Sequence, residues 1–332
     1  MSLSNVDWRQ VLGLRVSLPK KIDIEPTNTC NLACPLCPQS SSHTRKRGFM
    51  TLETFGNAIS SFDGRVSEVS LYLHGEPFLN PDLPKFVKAL SEAGIQTTIA
   101  TNGLAITDEC WRGVLDEGVN AVRFSMDLIS RQGFLAYKGL DSYDEARSRL
   151  DELIEIKLGQ KSDAHLGIRT IYSGQSREEL LSFLEYYFKK PGIDDIWFTR
   201  PCPWPGSKDP EMLAGRLMKD RKQPCSIARE SISICWDGSV VPCSFDHNAE
   251  YVLGNVNDAP LDEIVNSEAA RSFRKLHANG RRDKIQPCAD CMLPRFFFRE
   301  ISLNGALFNK ANTAQMDNLF GRIEALMPKL EI

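Results

Sequence analysis

Three cysteines fall within one short segment, Cys30-Asn-Leu-Ala-Cys34-Pro-Leu-Cys37, directly after the apolar run Ile22 to Ile24. The spacing Cys-x3-Cys-x2-Cys supplies three thiolates from a single loop, with no fourth cysteine nearby. Three sulfurs can hold three irons of a [4Fe–4S] cube and leave the last iron an open position, at which a small molecule can bind and receive an electron. A structural zinc is the competing reading, because zinc sites also draw on clustered cysteines. Zinc would need one more donor, and the nearest candidate, His43, lies in a polar loop.

The sequence around this loop alternates between two patterns. Short β-branched or aliphatic runs lie at Ile22–Ile24, Val69–Leu73, Ile95–Ala100, Ala121–Ser125, Leu166–Ile171 and Ile193–Phe198, as buried parallel strands require. Between them, apolar residues recur at helical spacing. Leu83, Phe86, Val87 and Leu90 share one face, with Gly94 placed to end that helix; Leu150, Leu153, Ile154 and Leu158 repeat the pattern, as do Leu180, Leu181, Leu184 and Tyr187. Alternation of this kind predicts an α/β fold with a parallel sheet, and six units make a partial (β/α)6 barrel. Sites in such folds sit at the carboxyl ends of the strands, where Cys30–Cys37 falls.

The alternation stops at Arg200-Pro-Cys-Pro-Trp-Pro-Gly206, where three prolines and a glycine rule out a continued helix or central strand. Farther on, Ser231–Cys235 and Val240–Val241 flank Asp237-Gly238, a hairpin signal. One helix is expected over Leu261–Leu276 and an amphipathic one over Thr313–Leu330. The expected division is an N-terminal extension at 1–20, a barrel at 21–200, a linker at 201–224, a small auxiliary domain at 225–295 and a helical tail at 296–332. A net charge of −3 gives no electrostatic case for nucleic acid or an anionic membrane. Apolar runs are strand-sized, so no membrane span is expected. Met1 to Trp8 lacks the basic start and apolar stretch of a signal peptide. Ten cysteines without a secretory signal fit a reducing, cytoplasmic setting in which thiols bind metal.

Two further features join the cysteine loop. His74-Gly75-Glu76-Pro77 follows the second strand-like run, putting a carboxylate and exposed carbonyls where they suit a cation. Thr101-Asn102-Gly103 and Ser125-Met126-Asp127 end the third and fourth. Together with Cys-x3-Cys-x2-Cys, this resembles the radical S-adenosylmethionine (radical SAM) enzymes, in which the second motif reads Gly-Gly-Glu-Pro; here His74 replaces the first glycine. The resemblance implies that Cys30, Cys34 and Cys37 hold the catalytic cluster. It implies further that the strand end at Gly75 and Glu76 binds the methionine ammonium of S-adenosyl-L-methionine. Asn102, Ser125 and Asp127 would then line the ribose and substrate side. Arg169, within the fifth run, is a candidate for binding a carboxylate or an oxygenated substrate, or else an outward, solvated arginine, since strand phase is open. Arg45 and Lys46 read as a solvated basic run, and Cys110 as a core thiol.

The second half carries Cys225, Cys235, Cys243, Cys288 and Cys291. Cys288-Ala-Asp-Cys291 is a chelating turn for one metal or cluster, and Cys225 and Cys243 are placed to complete a set of four. The arrangement Cys-x17-Cys-x44-Cys-x2-Cys resembles the SPASM auxiliary domain in its shortened "twitch" form, as found in the aminocyclitol dehydrogenase and aminoglycoside epimerase group. That resemblance implies a second [4Fe–4S] cluster on Cys225, Cys243, Cys288 and Cys291; a four-cysteine zinc site is the alternative. Cys235, and Cys202 in the Pro-rich segment, are candidates to donate a hydrogen atom to a substrate radical, Cys235 being otherwise an inert packed thiol.

The resemblance implies an enzyme that makes a 5′-deoxyadenosyl radical and abstracts hydrogen from a sugar, aminocyclitol or nucleoside-like substrate of antibiotic biosynthesis. Dehydrogenation, epimerisation or decarboxylation would follow. A small electron donor such as flavodoxin or ferredoxin is implied with it. The alternatives are a peptide or protein maturase and a zinc-stabilised binding protein.

Overall fold

The computed structural model describes residues 15–62, 64–127, 129–171, 175–199, 231–289 and 301–304, with the single positions 225, 227, 291, 318, 320 and 321. The first six strands are β1 (Lys21–Ile24), β2 (Glu68–Ser70), β3 (Gln96–Thr101), β4 (Ala121–Asp127), β5 (His165–Ile171) and β6 (Asp195–Thr199). They lie side by side in chain order, every pair parallel. Parallel neighbours need a crossover, and helices such as Leu83–Glu92, Asp108–Asp116, Tyr143–Gly159 and Arg177–Phe188 supply it. The result is the partial barrel of an α/β fold.

Alternation along the strands gives the barrel two unlike faces. Ile22, Ile24, Val69, Ile99, Val122, Phe124, Leu166, Ile168, Ile196 and Phe198 are buried on the outer face, where the helices cover them. Leu83, Phe86, Val87 and Leu90 are all 0% exposed on the helix predicted to carry them, and Gly94 follows its end at φ 70°. Full burial of each such side chain stabilises the fold by about 1.5–3 kcal/mol. The inner face is different. Asp23, Thr98, Ala100, Arg123, Ser125, Arg169 and Trp197 keep partial exposure although they lie mid-sheet, so they line an open lumen.

The sheet does not end with the barrel. β7 (Ser233–Ile234) pairs parallel with β1, and β8 (Ser239–Val241) and β9 (Gly254–Asn255) follow antiparallel. On the far edge β10 (Ile301–Asn304) lies antiparallel to β6. The expected hairpin forms, with Gly238 at φ 85°. The helix expected over Leu261–Leu276 is instead two, Leu261–Ile264 and Glu268–Ala278. Ser267 breaks it, accepting from Ala270 N at 3.2 Å as an N-cap and donating to the Leu253 carbonyl at 3.0 Å. Most of the tail predicted over Thr313–Leu330, and the segment 201–224 with Cys202, lie outside the described residues. Among the described residues no helix is long and apolar enough to cross a membrane.

Candidate active site

Cys30, Cys34 and Cys37 are free and half-buried in the loop leaving β1. Burial is the largest influence on their thiols and raises all three pKa values, Cys37 to about 11. The sulfurs also stand close enough for the charge on Cys30 to raise Cys34, and for both to raise Cys37. Several donors point at them. The Leu32 backbone bonds Cys30, the Gln39 backbone bonds Cys37, and Asn102 Nδ2 lies 3.8 Å from Cys30 Sγ. Backbone and amide N–H groups aimed at cysteine sulfurs are what stabilise the charge of an iron–sulfur cluster, so this loop fits one. Among the described residues no three Cys, His or acidic side chains meet as tightly as the shell of a single metal ion; a four-iron cube spreads its thiolates wider than one ion does.

The turn after β2 abuts the same loop. A Cβ on Gly75 would meet the carbonyl oxygen of Thr27 at 2.2 Å and that of Thr29 at 2.7 Å, so only glycine fits. Glu76 N donates to the Thr29 carbonyl at 2.9 Å, one residue before Cys30. The Glu76 carboxylate is buried and accepts from Thr101 Oγ1 at 2.7 Å, Asn102 N at 2.8 Å and Phe78 N at 3.2 Å. It therefore ties the ends of β2 and β3 together. Asn102, held by that bond, donates to Asn31 Oδ1 at 2.9 Å beside the first cysteine.

Ser125 and Asp127 end β4, with a register shift between them. Asp127 adopts φ 60°, the left-handed region, and its carboxylate forms a buried ion pair with Lys138. The carboxylate is thus engaged by this chain's own cation. Lys138 was not singled out from the sequence, yet its ammonium lowers the pKa of all three cysteines. It ends the helix Arg131–Lys138, and Gly139 follows at φ 73°, where a Cβ would come within 3.3 Å of Pro35 in the cysteine loop. The Lys-Gly pair at a helix end was the available signal.

Strand phase, open in the sequence, is settled for Arg169. It pairs with Ser125 on one side and Trp197 on the other, all three on the inner face. Arg123, one row below, lays its guanidinium 3.9 Å over the Trp197 ring. It reaches across Gly167, where a Cβ would collide with Asp195 at 2.2 Å. Arg123 and Trp197 were missed because a sequence does not say which strand residues share a row. Arg169 also lies near Tyr137, whose phenol burial pushes well above its usual range, and the charges of Asp127, Cys34 and Cys37 add to that rise.

Arg45 corrects the solvated reading. It binds Glu25 through two bonds of 2.7 and 2.9 Å, with side-chain exposures of 9% and 0%. The planar guanidinium matches the carboxylate that β1 drives inward; Lys46 is exposed, as expected. Cys110 is half-buried, packed against the core from the helix Asp108–Asp116.

In the second half, Cys225 is buried and Cys243, Cys288 and Cys291 are half-buried. Cys243 is raised well above its usual range, first by burial and then by the charges of Cys225, Cys291 and Cys288, which places the four together. Burial, then the charges of Cys291, Cys225 and Asp246, push Cys288 up to about 12. Phe245 N lies 3.4 Å from Cys243 Sγ, again a donor aimed at sulfur. Cys235 stands apart from this set. It is 0% exposed, and its electrostatic neighbours are Glu25, Arg45, Asp237 and Asp246.

Comparison with known proteins follows the same division. Residues 24–187 match the model of the radical SAM superfamily, and residues 225–292 that of the SPASM iron–sulfur cluster-binding domain. A tungsten-containing aldehyde ferredoxin oxidoreductase cofactor-modifying protein of Pyrococcus furiosus is 23% identical over 319 residues, covering 82% of this chain and 87% of the relative. An S-adenosyl-L-methionine-dependent 2-deoxy-scyllo-inosamine dehydrogenase of Niallia circulans is 23% identical over 275 residues, covering 81% and 91%. The crystal structure of Streptococcus suis SuiB bound to precursor peptide SuiA superposes with a TM-score of 0.62 at 16% identity, over 84% of this chain and 71% of that one.

Proposed function

The chain belongs to the radical SAM superfamily and carries a SPASM iron–sulfur domain, and we propose that it abstracts hydrogen from a hydroxyl-rich small molecule, a sugar, aminocyclitol or nucleoside, held in the barrel lumen. Its cofactors are S-adenosylmethionine and iron–sulfur clusters. In this reading Cys30, Cys34 and Cys37 hold one [4Fe–4S] cluster, and Cys225, Cys243, Cys288 and Cys291 hold another. Bound there, the first cluster and S-adenosylmethionine would supply a 5′-deoxyadenosyl radical, with the electron drawn from a flavodoxin or ferredoxin.

The chain's own residues do the rest. Gly75 lets the turn approach the cysteine loop, and the turn's carbonyls would receive the methionine ammonium. Glu76 is a positioning residue, holding β2 against β3 and fixing Asn102 beside Cys30. Ser125 presents a hydroxyl to the ribose side, and Asp127, paired with Lys138, shapes the wall next to it. Arg169 binds the substrate's oxygens. Functionally, the barrel at 21–200 would house the radical chemistry and orient the target C–H bond, while the region at 225–295 would exchange the second electron.

The observation that carries the substrate reading is the inner row Ser125, Arg169 and Trp197, three neighbours in register on the open face. A hydroxyl, a guanidinium fork and an indole suit an oxygenated ring. The dehydrogenase of Niallia circulans, whose name specifies such a substrate, supports the same class. Anaerobic reconstitution followed by assay against a panel of aminocyclitols, sugars, nucleosides and short peptides tests it. Deuterium transfer from a labelled cyclitol or sugar into 5′-deoxyadenosine is expected. Transfer from peptides alone would place the enzyme with the maturases, the class that the SuiB likeness favours.

A further inference from the structure

We propose that His74 is a positioning residue that ties the cofactor-binding turn to the turn after the auxiliary Cys243, so that filling the auxiliary site tightens S-adenosylmethionine binding at the first. The inference rests on the cluster assignments proposed above and concerns the coupling between them.

His74 occupies the position where the motif it resembles has glycine, which has no side chain to make a contact. Here the imidazole is buried at 5% exposure and hydrogen-bonds the Ser244 backbone. Its ring meets His247 edge-on, with centroids 6.0 Å apart at 69°. Ser244 directly follows Cys243, and His74 directly precedes Gly75, which touches the Thr27 and Thr29 carbonyls. Glu76 N then donates to Thr29 at 2.9 Å, and Thr29 precedes Cys30. Every step from Cys243 to Cys30 is therefore a covalent bond or a hydrogen bond.

A second strut runs beside the first. His247 Nε2 lies 3.0 Å from Ser42 Oγ. Asn248 accepts from Thr44 N at 2.8 Å and donates to the Ser42 carbonyl at 2.9 Å. Arg45 Nε donates to the His247 carbonyl at 2.9 Å. Residues 42–45 continue the cysteine loop beyond Cys37, so residues 244–248 brace it from both sides. The packed interior passes a shift at one end to the other, because it has little free volume to absorb one. Ligation of Cys243 would fix the Ser244 backbone, and through His74 it would fix the turn whose carbonyls are assigned to the methionine group. Linkage makes the effect reciprocal: S-adenosylmethionine at the first site favours a filled second site by the same factor.

The test compares His74→Gly and His74→Asn with the wild type, each with and without the paired Cys288→Ala and Cys291→Ala substitutions, after anaerobic reconstitution. Three quantities are read: iron per chain, the dissociation constant of S-adenosylmethionine, and the change it induces in the EPR spectrum of the reduced first cluster. In the wild type, removing the auxiliary ligands is expected to weaken S-adenosylmethionine binding about tenfold, the scale of one buried hydrogen bond. In His74→Gly binding starts about tenfold weaker, and removing the auxiliary ligands changes it less than about twofold. His74→Asn, which keeps a donor, recovers most of the loss. Wild-type affinity in His74→Gly overturns the coupling, as does an equal loss on removing the auxiliary ligands with or without His74. Iron content reports separately on the cluster assignments. A wild type that takes up about four irons instead of about eight overturns those assignments and the coupling with them.

Discussion

The two cysteine sets differ in what faces them. Cys30, Cys34 and Cys37 come from one loop, and the groups around them are a cation, Lys138, an amide, Asn102, and an open lumen of polar side chains. Cys225, Cys243, Cys288 and Cys291 come from three separate stretches of chain; Cys243 is buried within reach of the other three, and Cys288 within reach of Cys291 and Cys225. Three ligands beside a cavity leave an iron to which a small molecule can bind; four ligands close the shell and leave only electron exchange. On the proposed assignments, number and surroundings, not thiol chemistry, would separate a site that reacts from one that stores.

The largest effect should come from emptying each site in turn. Replacing Cys30, Cys34 and Cys37 by Ala is expected to abolish formation of 5′-deoxyadenosine. Replacing Cys288 and Cys291 should leave uncoupled formation of 5′-deoxyadenosine measurable while product formation fails. Equal loss in both variants would remove the distinction between the sites.

The boundary between the regions is the next point to break. Glu25, directly after β1, and Arg45, after the cysteine loop, are paired in a buried position, and Trp236 of the second region donates its backbone N–H to the same carboxylate at 3.1 Å. Arg45→Met leaves a buried carboxylate without its cation and should cost about 3–5 kcal/mol in denaturant unfolding. A loss within about 0.5 kcal/mol would mean that water reaches the pair and that the regions are not joined there.

This boundary also marks where the sequence stopped being informative. The barrel was legible because apolar runs at strand length alternate with helical faces, and each outer residue such as Phe124 or Ile168 reports its own burial. Cys30, Gly75 and Glu76 were legible because local motifs placed them. Arg45, Lys138, Arg123 and Trp197 were not, because their roles depend on partners far along the chain: Glu25, Asp127 and a shared row across three strands. A charged side chain looks solvated in a sequence until its counter-ion is found. The helix expected over Leu261–Leu276 broke for a similar reason, since Ser267 found a partner in the Leu253 carbonyl.

Within the lumen, Arg169→Lys keeps the charge but loses the planar fork. A rise in KM for substrate of about tenfold is expected, with cofactor cleavage in the absence of substrate unchanged. An equal fall in both would move Arg169 from the substrate to the cofactor.

A pH-dependent effect concerns His277, buried at 1% exposure in the second region, where burial and then Arg282 lower its pKa to about 4. A folded-state pKa below the unfolded value of about 6.5 means that the unfolded chain binds the extra proton. His277 therefore contributes stability that is intact above about pH 6.5 and is lost as pH falls toward about 4, at up to about 1.4 kcal/mol per pH unit. Carboxyls raised by burial, Glu25 and Glu76 among them, act in the opposite direction. The measurement is accordingly the difference between the wild type and His277→Asn across that range. Parallel stability curves would show His277 to be no better buried than an exposed histidine.

The claim that a reacting site and a storing site share one chain is tested most directly by iron and sulfide analysis of the anaerobically reconstituted variant in which Cys30, Cys34 and Cys37 are all Ala. About four irons and four sulfides per chain are expected, about half the wild-type content, with an EPR signal that S-adenosylmethionine does not perturb. Zinc in place of iron, or a signal that still responds to S-adenosylmethionine, would contradict it.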